Sequence, residues 1–431
     1  MKINIKTKIP GPKAVKLLSK LRKLNGGYSD PYPCVYSGEG NGCYFKDMDG
    51  NLFLDFASQI SSCPLGYDNK ELNDILKKYK KYPVKYAGQD FVIEEHALLL
   101  EELLSITPKG LNQAFLVNSG AEAVENCIKI ALRKQKQAKY GISFTSSFHG
   151  RTLGALSCTN SKSIQKKNFF QIPMKRLPYS LDAIDELNRI LKQESSPKEI
   201  GFIIIEAVQG EGGYNIAPKQ LLKEIRKFTE DNGIPLILDE VQSGMGRTGK
   251  WWAFQYSNII PDIISSAKAL QVGATIANKS LFPDPGSISS TWGGGHKIDL
   301  ALGAQTIKII KKRKLLNNII KQGIYFKKRL IEMQQSHLNI SSARGLGLML
   351  AFDLPSKQIR NNVIIECLKN GLVLLGCGER SIRIIPPYII SKDEIDEAVP
   401  VIANAVTKFK SEKIKHTGQI CNYLDCGNHQ T

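Results

Sequence analysis

Two residues of the sequence are of a type and in a setting that suit covalent work with a cofactor. Lys268 follows an apolar run and lies between two alanines, and an amine in such a desolvated setting can form a Schiff base. Asp239 ends the apolar run 234–238, where an unpaired carboxylate would be costly to bury. A protonated ring nitrogen would remove that cost and would keep the ring an electron sink.

A third segment could bind the phosphate of such a cofactor. The run 113–117 predicts a strand, and the turn that follows it opens a helical pattern at Ser119, Gly120 and Ala121. Ser119 and Glu122 have the spacing of a capping box, and the free amides and dipole at a helix start bind dianions well. Each segment alone is common, but the three in this chain order indicate a phosphate-bearing cofactor with a ring nitrogen.

The elements that must position these residues predict an α/β fold with a mostly parallel sheet, because apolar runs alternate with helical patterns. Ligand crevices of such sheets lie at the carboxyl ends of the strands, so we expect the three segments to converge there. The predicted domains are an N-terminal part of a smaller α+β domain, a large cofactor-binding domain, the C-terminal part of the smaller domain, and a polar tail. Their ranges are 1–55, 56–314, 315–411 and 412–431.

The composition of the chain indicates which binding partners and which cellular compartment to expect. The chain has 431 residues, 42% of them hydrophobic, and a net charge of +19, but its basic residues are spread along the chain rather than gathered with aromatics, which argues against nucleic-acid binding. No apolar run approaches the roughly 20 residues that span a bilayer, and the start carries no apolar signal segment. We therefore expect a cytoplasmic protein that does not associate with membranes.

The nine cysteines show no pairing rhythm, which is typical of reduced thiols in a cytosolic enzyme. Cys421 and Cys426 are flanked by His416 and His429 in the polar tail. A mobile tail is the preferred interpretation of that segment, and we predict no metal site.

Taken together, the motifs resemble those of a known family, the class III aminotransferases, from about residue 9 to residue 406. These are pyridoxal-phosphate enzymes of fold-type I that work as homodimers with shared active sites. The matching motifs are Asn118 to Ala123, Phe148 to Thr152, Glu206 with Gln209 to Gly213, Asp239 to Gly244, and Lys268. As a set they are very specific, and they imply the fold-type I architecture and pyridoxal 5'-phosphate as the cofactor.

The resemblance implies a role for each matching residue. Lys268 would carry the cofactor and then move the proton, Asp239 would pair with the ring nitrogen, and Gln242 would bind the ring hydroxyl. The remaining cofactor contacts would be Phe148 on the ring face, Ser119, Gly120 and Ala121 at the phosphate, and Thr291 at the phosphate of the neighbouring subunit.

Three further stretches, 58–62, 290–294 and 376–383, resemble the 4-aminobutyrate and lysine 6-aminotransferases within that class. By this resemblance Ile60 and Arg151 contact the substrate, and Arg151 holds the distal carboxylate of an ω-amino acid. Arg383 would hold the α-carboxylate of 2-oxoglutarate or glutamate. Glu211 would cover Arg383 when the substrate lacks that carboxylate.

The expected reaction moves the terminal amine of a 4-aminobutyrate-like ω-amino acid to 2-oxoglutarate, giving a semialdehyde and glutamate. Lysine 6-transamination, an ornithine-type reaction and amino-acid racemisation remain alternatives on the same scaffold. A basic binding protein on an inactive enzyme scaffold is an alternative from another class. The presence of Lys268, Asp239 and Gln242 argues against that last alternative.

Overall fold

A computed structural model describes residues 1–26, 32–83, 86, 90–290, 296–337, 339–409 and 420. The helices are α1 Pro12–Leu24, α2 Ser58–Ser61, α3 Lys70–Tyr79, α4 Glu94–Leu104, α5 Gly120–Lys134, α6 Leu153–Cys158, α7 Asp182–Gln193, α8 Lys219–Asn232, α9 Lys297–Lys312, α10 Leu315–Ser336, α11 Lys357–Lys369 and α12 Lys392–Lys408. The strands are β1 Tyr36–Asn41, β2 Tyr44–Asp47, β3 Leu52–Asp55, β4 Gln113–Val117, β5 Tyr140–Phe144, β6 Met174–Leu177, β7 Ile200–Ile205, β8 Leu236–Asp239, β9 Ile263–Ser266, β10 Gly273–Ala277, β11 Ser341–Leu346, β12 Met349–Asp353, β13 Leu372–Val373, β14 Leu375–Cys377 and β15 Ser381–Ile384. None of the helices in these ranges is long and apolar enough to cross a membrane.

The chain folds into two compact units. The first comprises residues 1–69, 321–344 and 350 onward, and the second comprises 70–320 and 345–349. The predicted boundary at residue 56 differs from the observed one, because the segment that follows residue 56 is tied to the first unit. There the Ser58 hydroxyl donates to the carbonyl of Ile385 at 2.6 Å, and the Tyr388 amide donates to the carbonyl of Pro64 at 2.7 Å.

The second unit is built on a seven-stranded sheet in the order β4-β10-β9-β8-β7-β5-β6. Strand β10 is antiparallel to β4 and β9, whereas β9, β8, β7, β5 and β6 are parallel to one another. Strands β7 and β8 are buried along their whole length, as expected of strands covered on both faces. The predicted mostly parallel α/β sheet is confirmed.

The first unit holds two four-stranded sheets, in the orders β1-β2-β3-β13 and β11-β12-β15-β14. Strand β13 pairs in parallel with β3, so the two ends of the chain share one sheet. A buried cluster that includes Phe45, Phe53 and Leu368 lies beneath them. This arrangement agrees with the smaller α+β domain that the sequence predicts from both chain ends.

Candidate active site

Asp239 lies at the carboxyl end of β8, with 5% of its surface exposed. Its Oδ1 accepts hydrogen bonds from the Val241 amide and the Ser265 hydroxyl, each at 3.0 Å. Its Oδ2 lies 2.8 Å from Nδ1 of His149, whose ring is fully buried. Three donors from three segments therefore orient this carboxylate. Such support suits a group that binds one fixed atom of a ligand.

His149 also keeps one free polar atom in the interior. Its amide donates to the Thr159 hydroxyl at 2.9 Å, which fixes the backbone, while its buried Nε2 has no hydrogen-bond partner among the described residues. The bond to Asp239 makes His149 a hydrogen-bonded ring that supports the carboxylate, and this partner, 90 positions away, cannot be identified from the sequence.

The predicted phosphate turn packs directly against the Asp239 and Lys268 segments. The capping box at Ser119 and Glu122 is present, so the Ser119 side chain accepts from the Glu122 amide. At Gly120 a Cβ atom would lie 2.8 Å from a methyl of Val241 and 3.3 Å from the Cβ of Ala267. Besides leaving room for a ligand, the absence of a side chain at Gly120 therefore lets three strand ends pack together.

Lys268 follows β9 and is half-buried, at the start of a short 3₁₀ turn. Its φ of +25° lies in a region that residues with a Cβ adopt at a cost, and such strain is concentrated at functional sites. Ala269 and Leu270 beside it are buried. Because Ser265 on the same strand binds Asp239, the lysine and the carboxylate are held by neighbouring strand ends.

Two other predicted cofactor contacts, Phe148 and Gln242, lie on loops near Asp239. The Phe148 amide donates to Oε1 of Glu206 at 3.0 Å, and the Gly210 amide donates to Oε2 of Glu206 at 2.7 Å. A Cβ atom at Gly210 would lie 2.9 Å from Oε1 of Gln242. That Oε1 atom is buried and has no hydrogen-bond partner in the described part of the chain, so it can accept a hydrogen bond from a ligand hydroxyl.

The predicted substrate residues are distributed over both units. Arg151, in the second unit, is exposed, lies with its guanidinium carbon 5.8 Å from the centre of the Phe148 ring, and makes no ion pair with the described residues. Glu211 is half-buried on the loop after Gly210. In the first unit, Arg383 is buried in β15, which pairs with β12 and β14, while Ile60 is 41% exposed in α2. Thr291 lies outside the described residues.

Two buried glutamates lie near Asp239. Glu240 follows it directly after β8, and Glu206 follows the neighbouring strand β7. Burial raises the pKa of Glu206 well above its usual range, and the negative charge of Asp239 raises it further, against two amide hydrogen bonds that lower it. Burial also raises the pKa of Glu240 to about 7. A cationic ligand atom at Asp239 would act against both shifts, because a nearby positive charge favours the charged form of a carboxyl group.

The residues present therefore fit pyridoxal 5'-phosphate. The oriented Asp239 carboxylate suits a protonated ring nitrogen, the unpartnered Gln242 oxygen suits the ring hydroxyl, and the first amides of α5 have no partner within the helix and suit a phosphate. Within the described ranges no cluster of His, Cys, Asp or Glu forms a metal site. The tail segment with Cys421 and Cys426 lies outside those ranges.

Comparisons with known proteins give one consistent family. The family model of class III aminotransferases matches residues 27–406. The chain is 34% identical to the acetylornithine aminotransferase of Archaeoglobus fulgidus, covering 85% of this chain and 94% of that protein. It is 30% identical to the mitochondrial 4-aminobutyrate aminotransferase of Homo sapiens, covering 94% and 91%. The solved lysine aminotransferase from M. tuberculosis superposes with a TM-score of 0.85 at 25% identity, covering 91% and 100%.

Proposed function

The chain belongs to the class III aminotransferases, which are pyridoxal-phosphate enzymes, and we propose that its donor is an ω-amino acid such as 4-aminobutyrate. The terminal amine would pass to 2-oxoglutarate, giving a semialdehyde and glutamate. The observation that carries this proposal is Arg151, a guanidinium beside Phe148 that makes no ion pair with the described residues. A cation in that place is suited to the far carboxylate of a donor that reacts at its other end.

Bound pyridoxal phosphate supplies a ring that draws electrons from the carbon bearing the amine. For this chain, the proposal gives Lys268 the covalent attachment and the transfer of the proton at its Nζ atom. Asp239 would hold the ring nitrogen charged, with His149 and Ser265 keeping its carboxylate in place. Gln242 would bind the ring hydroxyl through its unpartnered oxygen.

Phe148 would cover one face of the ring, and Ser119, Gly120 and Ala121 would bind the phosphate at the start of α5. Of these three, Gly120 and Ala121 would use backbone amides, since the Ser119 hydroxyl already caps the helix. Ile60 would line the pocket for the carbon chain of the substrate.

Two arginines would recognise the two carboxylates of the substrates. Guanidinium groups bind carboxylates in a planar, bidentate manner that lysine cannot match. Arg151 would take the distal carboxylate, and Arg383 the α-carboxylate of 2-oxoglutarate or glutamate. Glu211 would pair with Arg383 when a donor without an α-carboxylate is bound, so that one pocket accepts both kinds of substrate.

An ornithine-type or lysine-type donor is the second candidate, favoured by the 34% identity to the acetylornithine aminotransferase of Archaeoglobus fulgidus. Such donors also carry a carboxylate at the end remote from the reacting amine, but with a nitrogen beside it. Arg151 alone does not separate them from 4-aminobutyrate.

A panel of amine donors with heavy nitrogen on the reacting amine tests the assignment. The holoenzyme is incubated with 2-oxoglutarate and labelled 4-aminobutyrate, lysine or ornithine, and the label in glutamate is measured by mass spectrometry. We expect 4-aminobutyrate to be the best donor by about tenfold or more in kcat/KM, because the α-ammonium group of lysine or ornithine would lie beside the like charge of Arg151. A larger kcat/KM for lysine or ornithine would replace the proposed donor. Scrambling at the α-carbon without label transfer would indicate a racemase.

The proposal also includes a homodimer in which Thr291 of each chain reaches the phosphate of the neighbouring subunit. This follows from the family resemblance of the 290–294 stretch, and light scattering at assay concentration tests it, since a fully active monomer would contradict it. A cytoplasmic location is supported by the cysteines, because all seven in the described part of the chain are free thiols.

A further inference from the structure

Glu206 has a buried carboxyl group that joins two separate loops. It follows β7 directly and is 6% exposed. One oxygen, Oε1, accepts from the Phe148 amide at 3.0 Å, and the other, Oε2, accepts from the Gly210 amide at 2.7 Å. Its own carbonyl accepts from the Tyr179 hydroxyl at 2.6 Å. Hydrogen bonds thus fix the backbone of Glu206 and both oxygens of its carboxyl group.

Each of the two loops carries side chains assigned to the cofactor site, and one loop precedes Glu206 in the chain while the other follows it. The Phe148 loop brings the ring-stacking side chain and Arg151, whereas the Gly210 loop brings Glu211 and passes against Gln242. We propose that Glu206 is a positioning residue whose two oxygens hold these loops at a fixed spacing around the cofactor. The proposal rests on the proposed function only through the roles given to Phe148 and Glu211.

A carboxyl group is a costly choice at this position, which argues that its two acceptors are needed. Within the described residues, Glu206 has no Lys, Arg or His partner. Burial and the charges of Asp239 and Glu211 raise its pKa, while the two amide hydrogen bonds lower it. A neutral side chain of similar volume would avoid this desolvation, but it would not present two acceptor oxygens to two backbone amides.

Glu206→Gln tests the proposal, because it keeps the size of the side chain and replaces one acceptor with an amide donor. One of the two loops then loses its hydrogen bond and faces a repelling N–H group. The apoenzyme is titrated with pyridoxal phosphate and followed by visible absorption. We expect the dissociation constant to rise by about tenfold or more, since a buried amide that loses its acceptor bears the full cost of its own desolvation. Amide hydrogen exchange should become faster in one or both loops.

Glu240→Gln is the matched control, since Glu240 is a buried strand-end glutamate whose oxygens also accept backbone amides. Those amides belong to Ala253 and Phe254, outside the two loops. In this control we expect the dissociation constant of pyridoxal phosphate to stay within about twofold of the wild-type value. An equal rise in both variants, or no rise in Glu206→Gln, would overturn the proposal.

Two further measurements keep the test decisive if Glu206→Gln does not fold. Glu206→Asp keeps both oxygens but is too short to reach both loops, and we expect the same weakening of cofactor binding. In the wild-type protein, the amides of Phe148 and Gly210 should exchange slowly, and rapid exchange of either one would overturn the proposal. None of these measurements includes an amine donor, so a wrong donor assignment leaves them unaffected.

Discussion

The Nδ1 atom of His149 lies 2.8 Å from Oδ2 of Asp239, and both side chains are buried. The other oxygen of Asp239 already accepts two hydrogen bonds, from Val241 and Ser265. His149 is therefore one of three groups that fix the direction of the carboxylate.

His149→Leu should weaken cofactor binding and lower kcat by about tenfold or more, because it removes a hydrogen bond to a charged group. Titration of the apoenzyme with pyridoxal phosphate measures the first effect and steady-state kinetics the second. His149→Asn, whose amide can still donate, should lose less. Wild-type cofactor affinity in His149→Leu would show that Asp239 needs no support from the ring.

The covalent role of Lys268 predicts a single site of chemical labelling. Borohydride treatment of the holoenzyme should abolish the visible absorption and leave a pyridoxyl group on Lys268, identified by peptide mass spectrometry. Its strained backbone and its position at the strand end next to Asp239 support this expectation. Lys268→Ala should bind the cofactor reversibly and show no turnover. A pyridoxyl group on another lysine would contradict the assignment.

Glu240 predicts a specific dependence of stability on pH. Its pKa is raised by burial from 4.5 to about 7, so the folded protein holds a proton that the unfolded chain has released. This contribution to stability is fully present below pH 4.5 and is lost as the pH rises to about 7. Its size is on the order of 3 kcal/mol.

In Glu240→Gln we expect the free energy of unfolding of the apoenzyme to fall less steeply over that pH range than in the wild type. Urea titrations across the range give both slopes. Glu206 contributes in the same direction in both proteins, because its pKa is also raised, so the difference between the slopes isolates Glu240. Parallel curves would contradict the prediction.

The short helix α2 contains four consecutive non-glycine residues with positive φ angles: Ser58, Gln59, Ile60 and Ser61 at 39°, 51°, 57° and 73°. Left-handed backbone costs such residues roughly 1–2 kcal/mol each. The Asp55 carboxylate, which accepts from the amides of Ala57 and Ser58, helps to hold the turn. The predicted substrate residue Ile60 therefore lies in a strained segment.

Gln59→Gly should raise the free energy of unfolding by about 1 kcal/mol, because glycine adopts this conformation without a steric cost. Lys227→Gly, an exposed position in the middle of helix α8, is the matched control and should lower it by about the same amount. Denaturant unfolding measures both. Destabilisation by both substitutions would mean that the turn carries no such strain.

The parts of the site that depend on local sequence patterns could be predicted. The strand, turn and capped helix from Gln113 to Lys134 depend on neighbouring residues, and so do the buried strands that end at Glu206 and Asp239. The packing of Gly120 on Val241 and the bond between His149 and Asp239 join residues far apart in the chain, which no local pattern encodes.

Backbone conformations that residue types disfavour were also beyond sequence reasoning. The left-handed turn at 58–61 and the positive φ of Lys268 run against the preferences of their residues, so tertiary structure must impose them. The antiparallel strand β10 was missed as well. Its Gly273 passes so close to the Ser119 carbonyl that a Cβ atom would lie 2.2 Å from the oxygen.

The separate roles proposed for Arg151 and Arg383 are tested most directly by following the two half-reactions of the holoenzyme in single turnovers. Arg383→Ala should slow the half-reaction with glutamate by about tenfold to a hundredfold, since charge-assisted hydrogen bonds to the α-carboxylate are lost. The half-reaction with 4-aminobutyrate, whose single carboxylate would bind Arg151, should change by about twofold or less. Glu211→Ala should show the reverse pattern, because Arg383 then lacks its cover when 4-aminobutyrate is bound. Equal losses in both half-reactions for both variants would contradict the account.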